Sequence, residues 1–340
     1  MMKFTYNILK VILAGVIAVI ILSVVLMPYT FMPVHINNHI KNTDYVWPSE
    51  SYWMKMTEGI SFGKFDANGY NNLNVVDNPD IIIVGSSHME ATNVMQDENV
   101  GYLLNQKLEN RYSVYNMGIS GHHLYKVCQY LPQTLEIYDN PPKAIIIETS
   151  TVELTTESVN QVIEKSVKFT PSYNYGLIAT MQKIPFFRIA YQQIEGGLLD
   201  LFMPEKLQGK NDDDDLSNDY DDVDLQAYTY LFTYLKSIED KYGTEIIIFY
   251  HPFEKLKDDG TVEFEKTQHL EAFESAAQNY NLNFIDMTER FEKMYYEDNH
   301  VPHGFATGKI ASGHLNAYGH AAISDVLLEE IGILEKEGRI

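Results

Sequence analysis

Short, uninterrupted apolar runs recur along the chain. Asp80-Ile-Ile-Ile-Val84 is echoed by Lys143-Ala-Ile-Ile-Ile-Glu148 and Thr244-Glu-Ile-Ile-Ile-Phe-Tyr250. Ser113-Val-Tyr-Asn116 and Asn283-Phe-Ile-Asp286 are shorter versions. Runs without polar alternation predict strands buried on both faces, as in a parallel sheet. Between them the period changes. Leu225, Tyr228, Leu231, Phe232, Leu235 and Ile238 recur at helical spacing, as do Ala321, Val326, Leu327 and Ile331. Strand–helix alternation of this kind predicts an α/β layered sheet.

The first apolar run is different. No charged residue occurs from Val11 to Val34, and the run is densest over 11–27. About 20 such residues cross a hydrocarbon core. Lys3 and Lys10 precede it, which favours a cytoplasmic N-terminus. Residues 1–34 therefore read as a cytoplasmic start and a single transmembrane anchor through the lipid bilayer, with the rest extracytoplasmic. A cleaved signal peptide is the alternative, but Val25-Leu26-Met27-Pro28-Tyr29 offers no small-x-small cleavage site. Residues 35–76 read as a stalk or approach segment and 77–340 as the folded domain. The pattern loosens over about 152–224, predicting a helical and acidic insertion. Within it, Pro185 to Tyr191 suggests a hydrophobic lid or core packing. The acidic run from 211 to 224 reads as a solvated loop, and it lacks the spacing of a calcium-binding EF-hand.

Composition narrows the function classes. The 340 residues carry a formal net charge of −22, which argues against a nucleic-acid partner. The single cysteine, Cys128, excludes an intrachain disulfide and a multi-cysteine metal site.

Three segments carry candidate chemistry. The first strand ends in Gly85-Ser86-Ser87-His88 before a helix, at the carboxyl end of the sheet, where α/β folds bind ligands. Helix-start amides there favour developing negative charge, although a capping serine is the plainer reading. The second segment, Asn116-Met-Gly118-Ile-Ser-Gly121-His122-His123, places a glycine amide after a strand, fit for an oxyanion or simply for a turn. The third, Gly313-His314-Leu315-Asn316, opens the C-terminal helix with a histidine able to act as a general base.

Together these segments resemble the SGNH (GDSL-like) hydrolase superfamily, in particular its membrane-anchored cell-envelope type. The resemblance spans about 77 to 335. It implies a three-layer, flavodoxin-like sandwich around a central parallel sheet. It also implies Ser87 as nucleophile, His314 as base, and the amides of Ser87 and Gly121 as oxyanion donors. Gly85, Ser86, His88, Asn116, Gly118, His122 and Asn316 would line the cleft. Two departures stand out. Glu148-Thr149-Ser150-Thr151 replaces the asparagine of the third block, so a hydroxyl from Thr149, Ser150 or Thr151 is the substitute donor. Ala311 replaces the acid three residues before the histidine. That leaves a Ser–His dyad, a carbonyl, or a distant acid such as Asp286 or Asp298 to orient the ring.

The expected activity is cleavage or transfer of an O-acyl ester through an acyl-serine. The expected substrate is an envelope polysaccharide or glycolipid, with a membrane acyl-donor protein as a further partner. A non-catalytic glycan-binding or scaffold module is the competing class. No cofactor is implied. A metal held by His88, His122, His123 and His314 is weighed and not adopted. His300 and His303 read as loop residues and His251 as a packing residue. Trp47 and Trp53 suggest a carbohydrate surface only weakly.

Overall fold

A computed structural model of the chain describes residues 2–26, 30–33, 35–38, 42–56, 58–163, 184, 186–187, 225–265, 267 and 269–340. The acidic run and most of the candidate lid lie outside the described residues. Helix α1 (Met2–Leu26) contains a 21-residue stretch, Thr5–Val25, of mean hydropathy 3.0, long and apolar enough to cross a membrane; none of its most apolar stretch is buried against the protein.

Five short strands follow: β1 (Thr30–Phe31), β2 (Ile36–Asn37), β3 (Tyr45–Val46), β4 (Tyr52–Lys55) and β5 (Ser61–Lys64). β1, β4 and β5 form an antiparallel sheet, and β2 pairs with β3. Met32, Trp47, Trp53 and Phe65 make a separate small core there, with the Trp47 and Phe65 rings stacked at 5.0 Å. Both tryptophans are buried, so neither presents a carbohydrate-stacking face. The segment read as a stalk is thus strand-rich, and it is tied to the main sheet. Asp66 accepts the Tyr115 hydroxyl at 2.8 Å, and Asn71 donates to the Glu90 carbonyl at 2.8 Å.

The main domain then runs β6 (Ile81–Val84), α2 (Ser87–Glu90), α3 (Val100–Lys107), β7 (Val114–Asn116), α4 (Leu124–Glu136), β8 (Ala144–Thr149) and α5 (Thr156–Ile163). After the undescribed stretch come α6 (Leu225–Tyr242), β9 (Glu245–Tyr250), β10 (Glu254–Leu256), β11 (Val262–Phe264), α7 (Leu270–Asn279) and β12 (Asn283–Asp286). The chain closes with α8 (Thr288–Asp298), β13 (His303–Gly304), β14 (Ile310–Leu315) and α9 (Ala317–Glu337).

The five predicted strands form one parallel sheet in the order β12-β9-β8-β6-β7. Alternate residues feed opposite cores. Ile82, Val84, Ile145, Ile147, Ile246 and Ile248 pack under α4, α6 and α7. Ile81, Ile83, Ile146, Ile247 and Phe249 pack under α3, α8 and α9. This is the expected three-layer sandwich. Burial on both faces explains why the strands read as continuous apolar runs. The first strand, β6, lies between β7 and β8, so the chain reverses its direction of travel there. The crevice outside the carboxyl ends of β6 and β8 is the topological switch point, where such sheets bind ligands.

Candidate active site

β6 delivers Ser87 to that crevice. Ser86 caps the short α2, its hydroxyl accepting the His88 amide at 3.3 Å. Gly85 is required by its neighbour, since a Cβ there would lie 2.5 Å from Glu148 Oε2. Glu148 in turn accepts the Ser86 amide at 2.7 Å. Glu148 thus braces the loop carrying Ser87.

β14 delivers His314. Its Nε2 lies 2.9 Å from Ser87 Oγ, and its Nδ1 lies 2.7 Å from Glu58 Oε2. An ionised carboxylate can only accept, so Nδ1 carries the proton and Nε2 presents its lone pair to the serine hydroxyl. The His314 amide also donates to Glu58 Oε1 at 2.7 Å. Burial alone would push the Glu58 carboxyl up. The bonds from the His314 ring and amide outweigh it and hold Glu58 below the ordinary carboxylate range. The His314 and Glu58 side chains remain 29% and 28% exposed, so the site is reachable from solvent.

Glu58 sits in the turn between β4 and β5, and that turn is held in place. Asn93 Nδ2 donates to Glu58 Oε2 at 3.0 Å and to the Glu58 carbonyl at 3.2 Å. Lys55 Nζ reaches Asn93 Oδ1 at 3.2 Å, and the Gly59 amide donates to Thr307 Oγ1 at 2.9 Å. Gly313, at φ +83°, opens the space: a Cβ there would lie 2.1 Å from Glu58 Oε1. The ring partner sought in Asp286 or Asp298 is therefore Glu58. Asp286 instead accepts from the Thr288 amide at the start of α8. Ala311 is buried at φ +56°, in the strand that leads to His314.

The remaining expected site residues divide. Neither the Ser87 amide nor the Gly121 amide is engaged by another group among the described residues, and Gly121 takes φ +77° in the turn after β7. The Thr149 hydroxyl donates to the Thr151 carbonyl and accepts the Thr151 amide, closing a local turn. The Thr151 hydroxyl donates to Glu153 at 2.7 Å. Asn116 is a brace: it donates to the Met89 carbonyl at 2.7 Å and accepts the Gly118 amide at 3.0 Å. Gly118 packs on α2, where a Cβ would lie 2.4 Å from the Met89 backbone. His122 turns away to Asp44, at 3.0 Å, and Asn316 caps α9 through the Tyr318 and Gly319 amides.

The four histidines weighed for a metal do not converge. His88 instead meets His251, buried as expected of a packing residue, and His303, which lies buried in β13 and not in a loop. Glu58 is the ring partner that sequence reasoning missed. Its only signal was indirect: with alanine at position 311, a carboxylate from elsewhere was one of the groups left to orient the ring.

No protein-family profile matches the chain, and no curated protein sequence does either. Among solved structures the chain is similar to the acetyl xylan esterase AlAXEase, with 11% identity and TM-score 0.41 over 74% of this chain and 99% of that one. It is similar to a catalytic mutant of Axe2, an acetylxylan esterase from Geobacillus stearothermophilus, with 15% identity and TM-score 0.38 over 76% and 96%. It is also similar to a lipolytic protein of the G-D-S-L family from Veillonella parvula, with 14% identity and TM-score 0.36 over 73% and 96%. At such identities the likeness is one of chain path, and chemistry is read from Ser87, His314 and Glu58 themselves.

Proposed function

We propose that this protein is a serine esterase or O-acyltransferase of the SGNH type, working through an acyl-serine. The observation that carries the reading is the hydrogen-bonded relay Ser87–His314–Glu58. Ser87 Oγ attacks the ester carbonyl carbon while His314 Nε2 takes its proton. Glu58 holds the ring in the useful tautomer and offsets the imidazolium charge as it forms. The amides of Ser87 and Gly121 receive the oxyanion. The tetrahedral adduct collapses, the leaving alcohol takes the proton from Nε2, and Ser87 is left acylated. A water or an acceptor hydroxyl then gives its proton to Nε2 and attacks the acyl carbon; the bond to Ser87 Oγ breaks, and Nε2 returns the proton to the leaving serine oxygen.

The α1 span supports a single-pass anchor, with the domain on the outer face of the cell membrane. Esters on envelope polysaccharide or glycolipid are the substrate class such tethering favours, because an anchored enzyme works on what the membrane surface holds. A membrane acyl donor is the matching partner if the acceptor is a sugar hydroxyl.

The test uses the full chain in detergent micelles. A fluorophosphonate probe is expected to modify Ser87, read by peptide mass, and p-nitrophenyl acetate is expected to turn over. Absence of both, with a known serine esterase reacting in parallel, overturns the reading. Supplying acylated donor with candidate sugars then separates transfer from hydrolysis.

A further inference from the structure

Beneath the Ser87 turn lies a buried group of imidazoles that the relay does not use. His88 follows Ser87 directly, His251 follows the end of β9, and His303 lies in β13 opposite Leu315 of β14. One potential ligand nitrogen from each lies within 4.8 Å of the other two. The His251 and His303 side chains are 0% exposed.

Two of the rings are held from behind by a carboxylate. His251 Nε2 meets Glu148 at 2.9 Å, and His303 Nδ1 meets Glu254 at 2.6 Å. The opposite nitrogens, His251 Nδ1 and His303 Nε2, are buried and have no hydrogen-bond partner. Buried polar atoms without partners are rare and call for an explanation. A carboxylate on one nitrogen, with the other directed inward, is how proteins orient metal-binding histidines.

Charge makes the same point. Among the described residues, neither Glu148 nor Glu254 meets a lysine or arginine. If the rings are neutral, two buried carboxylates lack a counter-charge. If the rings are protonated, imidazolium groups crowd together with His251 and His303 centroids 5.2 Å apart and His88 at 4.6 and 5.4 Å. Both arrangements are costly in a dry interior. A divalent cation among the three rings removes the conflict, balancing the two carboxylates.

We infer that His88, His251 and His303 bind a divalent transition metal ion of the zinc type. A three-imidazole donor set suits zinc and its neighbours and does not suit magnesium or calcium. Tetrahedral bonds of about 2.0–2.1 Å place ligand nitrogens about 3.3 Å apart, a spacing compatible with three nitrogens that all lie within 4.8 Å of one another. His88 Nδ1 also accepts the Leu315 amide at 3.3 Å, which ties the Ser87 turn to β14. The ion joins the turn bearing Ser87 to the strand pair bearing His314 and so positions the two. That positioning role rests on the proposed esterase reading; the binding itself does not.

The test measures metal rather than turnover. The full chain, purified in detergent without a polyhistidine tag, is expected to carry about one zinc by elemental analysis. After chelation, added Zn²⁺ is expected to raise Tm, and Co²⁺ to give the visible absorption of a tetrahedral site. H251A and H303A are expected to lose the ion. Glu148→Gln, which keeps the side-chain volume, is expected to weaken affinity about 10–100-fold, typical for loss of such a carboxylate. Wild-type protein that carries no metal, and shows neither a cobalt spectrum nor a Tm response, overturns the site even if Ser87 is labelled. Undiminished zinc in folded H251A or H303A also overturns it.

Discussion

Glu58 holds His314 at two points, accepting its ring Nδ1–H and its main-chain N–H at 2.7 Å each across 256 positions of sequence. The double grip orients the ring and also locks the β14 backbone to the β4–β5 turn. It explains why glycine precedes the histidine, since only a residue without Cβ leaves room for the carboxylate.

Glu58→Gln is expected to lower kcat/KM for p-nitrophenyl acetate about 10³–10⁴-fold, because an amide no longer enforces the tautomer. Ser87→Ala and His314→Ala are each expected to abolish turnover, with the double variant no worse than either single one. Steady-state rates check this. Near-normal activity in folded Glu58→Gln would remove Glu58 from the relay.

Gly313→Ala forces a side chain into left-handed backbone and against Glu58. Activity is expected to fall at least about 10-fold, and Tm to drop by several degrees, consistent with about 1–3 kcal/mol of strain. Thermal melts beside rate measurements distinguish displacement of Glu58 from global loss of structure.

Thr149→Ala removes a hydroxyl already closed on Thr151. Turnover is expected to change by less than about 5-fold, whereas losing a true oxyanion donor costs about 10²–10³-fold. A loss of the larger size would return Thr149 to the oxyanion site.

Asp44 sets a pH dependence of stability. Burial would raise its carboxyl, but hydrogen bonds from His122 and Lys126 outweigh it and hold it well below the usual range. A depressed folded-state pKa stabilises the fold above the ordinary carboxylate value, and that stability is lost as pH falls toward the depressed value. Asp44→Asn is therefore expected to lower Tm clearly at pH 7 and progressively less below about pH 4. A Tm difference that does not shrink on acidification contradicts this.

The α1 helix predicts membrane partition. Wild-type chain is expected to stay in the pellet after carbonate extraction. Paired Val16→Lys and Ile17→Lys substitutions, each costing about 2.5–3.5 kcal/mol at the helix centre, are expected to release it. Equal release of both forms would argue against a span.

Local pattern was enough to determine the layered sheet, the membrane-length helix, and the placement of Ser87 at the start of a helix just after a strand; His314, expected in a loop before the C-terminal helix, lies instead in β14. Such features depend on neighbours in sequence: continuous isoleucine runs have only one comfortable place, between two helical layers. Tertiary structure alone decided that Glu58 meets the His314 ring, that Glu148 braces the Ser87 loop, and that His251 and His303 join His88. Those pairings cross from 62 to 256 positions of sequence. Hydrogen bonds and charge balance act through space, at a few ångströms, and no periodicity of the chain records which distant strand ends will meet.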